Sequence, residues 1–105
     1  MKIKTFVGTL VASRLETTYT LTYLVAATSL PKAEEVLARL AQTFYGKSSP
    51  SRSVEKGWLN AKGTEVMAPG PVHAISLETF QEMAQFLPVR AEPDVLPPLA
   101  PKKLA

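Results

Sequence analysis

Cysteine is absent from this 105-residue chain, histidine and tryptophan occur once each, and glycine five times. Without cysteine there is no disulfide framework, no thiolate metal ligand and no cysteine nucleophile, which excludes a small disulfide-stapled secreted scaffold. The single histidine, His73, cannot build an imidazole-based metal site, and the sequence places no partners beside it for a nucleophile–base–acid arrangement. No run approaches the roughly 18 apolar residues that a membrane helix needs. Met1-Lys2-Ile3-Lys4 followed by residues 6–12 mimics a secretory leader. The mimicry fails because Thr5, Gly8 and Thr9 interrupt the apolar run, and Arg14 and Glu16 follow before any cleavage-type site. These absences predict a soluble, cytoplasmic protein.

What is present is an ordinary globular composition: 46% hydrophobic and 20% charged residues, enough for one small core and too apolar for a wholly disordered chain. The net charge of +3 is local. Lys47, Arg52, Lys56 and Lys62 lie within residues 46–63 against the single acid Glu55, and the rest of the chain is neutral. Proline is also localised: five of the nine prolines fall from Pro88 onward. That stretch has no apolar periodicity and reads as an extended arm that cannot offset its ordering entropy. The expected division is one domain over residues 1–88 and a proline-rich flexible tail over 89–105.

Residues 3–13 are rich in β-branched residues and partly apolar on both parities, as suits a central strand. Residues 17–28 alternate, with Tyr19, Leu21, Tyr23, Val25 and Ala27 on one face and Thr18, Thr20 and Thr22 on the other, so the two stretches predict an antiparallel hairpin with a wet threonine face. Ser29-Leu30-Pro31 opens a helix by serine capping and first-turn proline. Its stripe is Ala33, Val36, Leu37, Leu40, Ala41 and Phe44, and Gly46 closes it. Residues 47–56 read as a serine-rich basic loop. A second hairpin is expected across Lys62-Gly63, from 58–61 and 64–68, and a short strand over 72–75 after Pro69-Gly70-Pro71. Ser76 caps a second helix with Leu77, Phe80, Met83, Ala84 and Leu87 inward, ended by Pro88. The predicted fold is therefore α+β: an antiparallel sheet of four or five strands in the order ββαβ(β)βα, both helices on one face, the threonine face open, and an extended C-terminal tail.

Catalytic patterns do not converge. Ala41-Gln42-Thr43-Phe44-Tyr45-Gly46-Lys47-Ser48 satisfies a relaxed phosphate-loop pattern, but a helix precedes it where a strand is required, and Gly46-Lys47 is a helix C-cap. Glu34 with Glu35, and Glu78 with Glu82, fall on solvated helix faces. No enzyme activity, cofactor, metal or small-molecule ligand is expected. Two binding readings remain. The first is a protein-interaction or regulatory module, a homodimer or a partner of another protein, using Phe6, Leu10, Thr18, Thr20, Thr22, Tyr45 and Phe86. The second is nucleic-acid binding through the basic loop, with Lys47, Arg52, Lys56 and Lys62 neutralising phosphates and Trp58 offering a stacking surface. The segment Pro98-Leu99-Ala100-Pro101-Lys102-Lys103 has the PxxPxK form that proline-binding grooves accept, a pattern that any proline-rich arm can match.

Tyr23-Leu24-Val25-Ala26-Ala27-Thr28-Ser29, followed by Lys32-Ala33-Glu34-Glu35, resembles the strand-to-helix junction of small phage-type α+β proteins. The resemblance spans about fourteen residues and carries no catalytic motif. It implies an accessory protein of a phage or mobile element, acting on a host protein or by self-association.

Overall fold

The two N-terminal strands pair along their whole length. In the computed structural model, which describes residues 2–14, 16–43, 52–54, 57–59 and 64–99, β1 (Lys4–Arg14) and β2 (Thr17–Ala27) form an antiparallel hairpin in which Gly8 faces Tyr23 and Leu10 faces Leu21. Helix α1 (Leu30–Thr43) follows, then β3 (Arg52–Val54), β4 (Gly57–Leu59), β5 (Val66–Ala74), helix α2 (Leu77–Met83) and β6 (Val89–Ala91). The sheet has six strands in the order β3-β4-β5-β1-β2-β6. All neighbours are antiparallel except β6, which runs parallel to β2. The α+β class and the element order through α2 are those the sequence predicts.

Local signals account for both helices. Ser29 Oγ accepts the Lys32 N–H at 3.3 Å at the start of α1, and Ser76 Oγ accepts the Thr79 N–H at 3.1 Å at the start of α2. Ala33, Leu37 and Ala41 of α1 are fully buried, with Val36 and Leu40 half-buried beside them. The closing residues Phe44 and Gly46 lie outside the described residues. Helix α2 ends at Met83, and Leu77, expected inward, is half exposed.

The helices sit on opposite faces of the sheet, which corrects the one-face arrangement. Strand parity separates two cores. Phe6, Leu10 and Ala12 of β1 and Tyr23, Val25 and Ala27 of β2 pack with Met67 under α1. Leu24 and Ala26, one residue out of phase, pack with Phe80 of α2, and Val7, Ile75, Met83, Leu87, Val89 and Val95 surround them. A strand apolar on both parities can be satisfied only by cover on both sides.

Three boundaries also differ. The basic loop contains β3, whose Arg52 lies opposite Leu59. The strands expected at 64–68 and 72–75 are one continuous strand, β5, through Pro69-Gly70-Pro71. Proline is tolerated there because the ladder with β1 shifts register between Gly8 and Leu10, and β4 pairs only with Val66 and Met67, so the outer edge of β5 needs no donor beyond them. The domain boundary expected at 88 falls inside the fold. Val89–Ala91 pair with Leu24–Ala26, Glu92 N–H bonds the Ala26 carbonyl at 2.9 Å, and Val95 joins the second core.

Candidate protein-interaction surface

Short α2 covers only one end of its face of the sheet. Beyond Leu24 and Ala26, the residues in phase with them are Thr18, Thr20 and Thr22 on β2, paired with Ser13, Val11 and Thr9 of β1. Across β1, Val11 lies opposite Ala68 and Ser13 opposite Val66. Gly70 completes the patch: a Cβ there would overlap Thr9 Oγ1 and come within 3.2 Å of a Val11 methyl, so the missing side chain lets β5 and β1 approach closely. Thr18 and Thr20 are exposed, and Thr9, Val11, Thr22 and Ala68 half-buried. Every one of these side chains is small and uncharged, an unusual composition for an open sheet face, where long charged residues commonly shield the backbone.

The predicted interface residues divide on this geometry. Thr18, Thr20 and Thr22 lie together on the open patch. Phe6 and Leu10 do not: they are 2% and 0% exposed beneath α1, so their parity serves the core and they are withdrawn as contacts. Phe86 stands 85% exposed just past α2, away from the threonine row in sequence and element. Tyr45 lies outside the described residues. Val11, Ala68 and Gly70 were missed, because assigning them to an exposed face requires knowing which side each helix takes.

The basic loop is described only in part. Lys47, Lys56 and Lys62 lie outside the described residues, and Arg52 is placed by its backbone in β3. Trp58 is half-buried on β4 and packs against the core beneath α1, which engages part of the indole that a stacked base would need. His73 is exposed on β5 opposite Val7, and among the described residues no group of three acidic or imidazole side chains could hold a metal ion. Among these residues, too, no helix is long and apolar enough to cross a membrane.

A cleft of about 290 Å³ opens between α1 and the end of β6. Its charges are already engaged. Glu35 pairs with Arg39 at 2.8 Å and with Lys32 at 3.7 Å, and the Glu92 carboxylate accepts the Thr28 N–H at 2.9 Å and its hydroxyl at 2.8 Å. Those two bonds favour the carboxylate and hold Glu92 below the ordinary value. The cleft therefore reads as a structural seam that fastens β6 to the β2–α1 junction. At the far end of the hairpin, the Tyr19 hydroxyl donates to Glu65 Oε1 at 3.0 Å, and that bond to a carboxylate raises the phenol above its usual range.

Comparison with family models, curated proteins and solved structures returns no match, so the resemblance at Tyr23–Glu35 gains no support from relatives and the functional reading rests on the chain's own geometry.

Proposed function

We propose that the chain is a small non-catalytic interaction module whose working surface is the neutral patch of β1, β2 and β5. The observation that supports it is the half-covered sheet. Six strands are built, yet the face that α2 begins to cover is left open over Thr9, Val11, Thr18, Thr20 and Thr22, with no charge to discourage contact. A surface of this kind binds by exclusion of water and by threonine hydroxyls that pair in either donor or acceptor sense. It fits another protein surface better than a nucleic acid, whose phosphates require cations.

The test compares the wild type with Val11→Lys, which plants a charge in the middle of the patch, and Lys32→Glu, which alters the outer face of α1. Association is measured by light scattering and by affinity capture with identification of what is captured. Capture of another protein that is lost in Val11→Lys and kept in Lys32→Glu supports the reading. A wild type that neither self-associates nor captures a protein sinks it.

A further inference from the structure

We infer that a second copy of the chain joins this one along the free edge of β2, beside the patch, so that the two sheets become one. The inference rests on the interaction-module reading and adds the partner, the edge and the register. Strand β2 is eleven residues long and pairs with β1 throughout, whereas β6 covers only Leu24–Ala26 on its other side. Among the described residues, no strand pairs with the outer edge of residues 17–23.

The direction of the backbone groups along that edge follows from the bonds to β6. Leu24 N–H donates to the Pro88 carbonyl and the Ala26 carbonyl accepts the Glu92 N–H, so the even-numbered residues of β2 point their N–H and C=O outward. By strand alternation the same holds for Thr18, Thr20 and Thr22. Among the described residues these groups form a row of donors and acceptors without a strand partner on the stretch Thr17-Thr18-Tyr19-Thr20-Leu21-Thr22-Tyr23, which contains no charge, no proline and no glycine. Such an edge is a template for another strand, and the usual protections against pairing are missing from it.

The edge is complementary to itself. An antiparallel copy centred on Thr20 sets Thr20 opposite Thr20 and Thr18 opposite Thr22. Each facing pair is of the closely bonded kind, giving about six backbone hydrogen bonds across the two-fold axis. On the open face, threonine meets threonine; on the α1 face, Tyr19 meets Leu21, an aromatic–aliphatic pair of the sort that stabilises cross-strand contacts. The window is limited at one end by the turn into β1 and at the other by the start of β6. A copy of residues 17–23 therefore matches the length left open, and no like charges meet across the axis. The joined sheet would carry the two neutral patches side by side.

Light scattering and amide hydrogen exchange across a concentration series test this with the wild type, Thr20→Lys and Thr20→Glu. Thr20 is exposed, so at concentrations low enough for the wild type to be monomeric the thermal melts of both variants are expected to match it and exclude a folding defect. The expected wild-type mass is twice 11.4 kDa, with the Thr18, Thr20 and Thr22 amides protected only where the dimer forms. Each variant alone places like charges on the axis and is expected to weaken dimerisation by about tenfold or more. An equimolar mixture of the two, which sets Lys opposite Glu, is expected to restore the dimer. A monomeric wild type, a Thr20→Lys dimer as tight as wild type, or a mixture that stays monomeric each overturns the proposal. A monomeric wild type whose capture of another protein is abolished by Val11→Lys overturns the second copy while leaving the interaction-module reading intact.

Discussion

Thr5 shows how a single polar side chain closes a junction of the fold. It is 6% exposed; its hydroxyl donates to the Ile75 carbonyl at 2.8 Å, while the Ile75 N–H returns to the Thr5 carbonyl at 3.0 Å. Thr5→Val keeps the shape and leaves the carbonyl unpaired, and chemical denaturation is expected to show a loss of about 1 kcal/mol. Glu92 does the same just past the C-terminal end of β2, with a pH signature. Its folded value is lowered, so its contribution is present above the ordinary glutamate value of 4.5 and lost as the pH falls through the lowered one. Acid titration of thermal stability should therefore fall below pH 4.5 in the wild type, and Glu92→Gln should flatten that part of the curve; equal slopes would refute the assignment. Trp58 is the residue where chemistry and packing compete. Because it packs against the α1-side core, Trp58→Ala is expected to cost about 2 kcal/mol of stability. A loss of oligonucleotide binding at unchanged stability would reverse that view.

At the scale of elements, α1 packs closely onto β1. Gly8 lies beneath Leu37, and a Cβ at position 8 would overlap the Leu37 side chain. Leu37 is fully buried and cannot swing clear, so Gly8→Ala is expected to destabilise by about 1–3 kcal/mol. Trimming the neighbour in a Gly8→Ala/Leu37→Val double variant should recover part of the loss, and a double-mutant cycle with no coupling would show that the helix shifts instead. The strength of each element as a sequence signal tracks how local its causes are. Helix α1 has its cap, first-turn proline and apolar stripe within fourteen residues. By contrast, β3 and β6 are three residues each, and their strand character is supplied by the neighbours they pair with, Leu59 for Arg52 and Leu24–Ala26 for β6. No periodicity can be read in three residues.

For the whole molecule, the sheet is the partition between two cores, and the segment after Pro88 is part of the smaller one. Val89, Ala91 and Val95 pack around Leu24, Ala26 and Phe80, which are each 0% exposed. A chain truncated after Pro88, where proline content alone would place the boundary, should lose about 3 kcal/mol or more in chemical denaturation. It should also gain dye-accessible apolar surface. A truncated chain as stable as the full one would show that β6 is a loose appendage. The same architecture explains the proposed surface: among the described residues, a seven-residue α2 and a three-residue β6 leave part of one face and residues 17–23 of one edge uncovered.

The threonine row on β2 was legible because alternation along one strand is a local property, and so were the hairpin, both helix caps and the α+β class. Phe6 and Leu10 were misplaced because parity says that two residues share a face without saying which face a helix will cover. The neutral patch and the free edge are properties of the assembled sheet. The patch exists because α2 crosses to the side opposite α1, and the edge because β6 returns to only three residues of β2. Local physics determined the strands, the helices and the alternation of their side chains. Only the tertiary packing of distant segments, driven by the need to bury both faces of β1 and β2, decided what stays exposed.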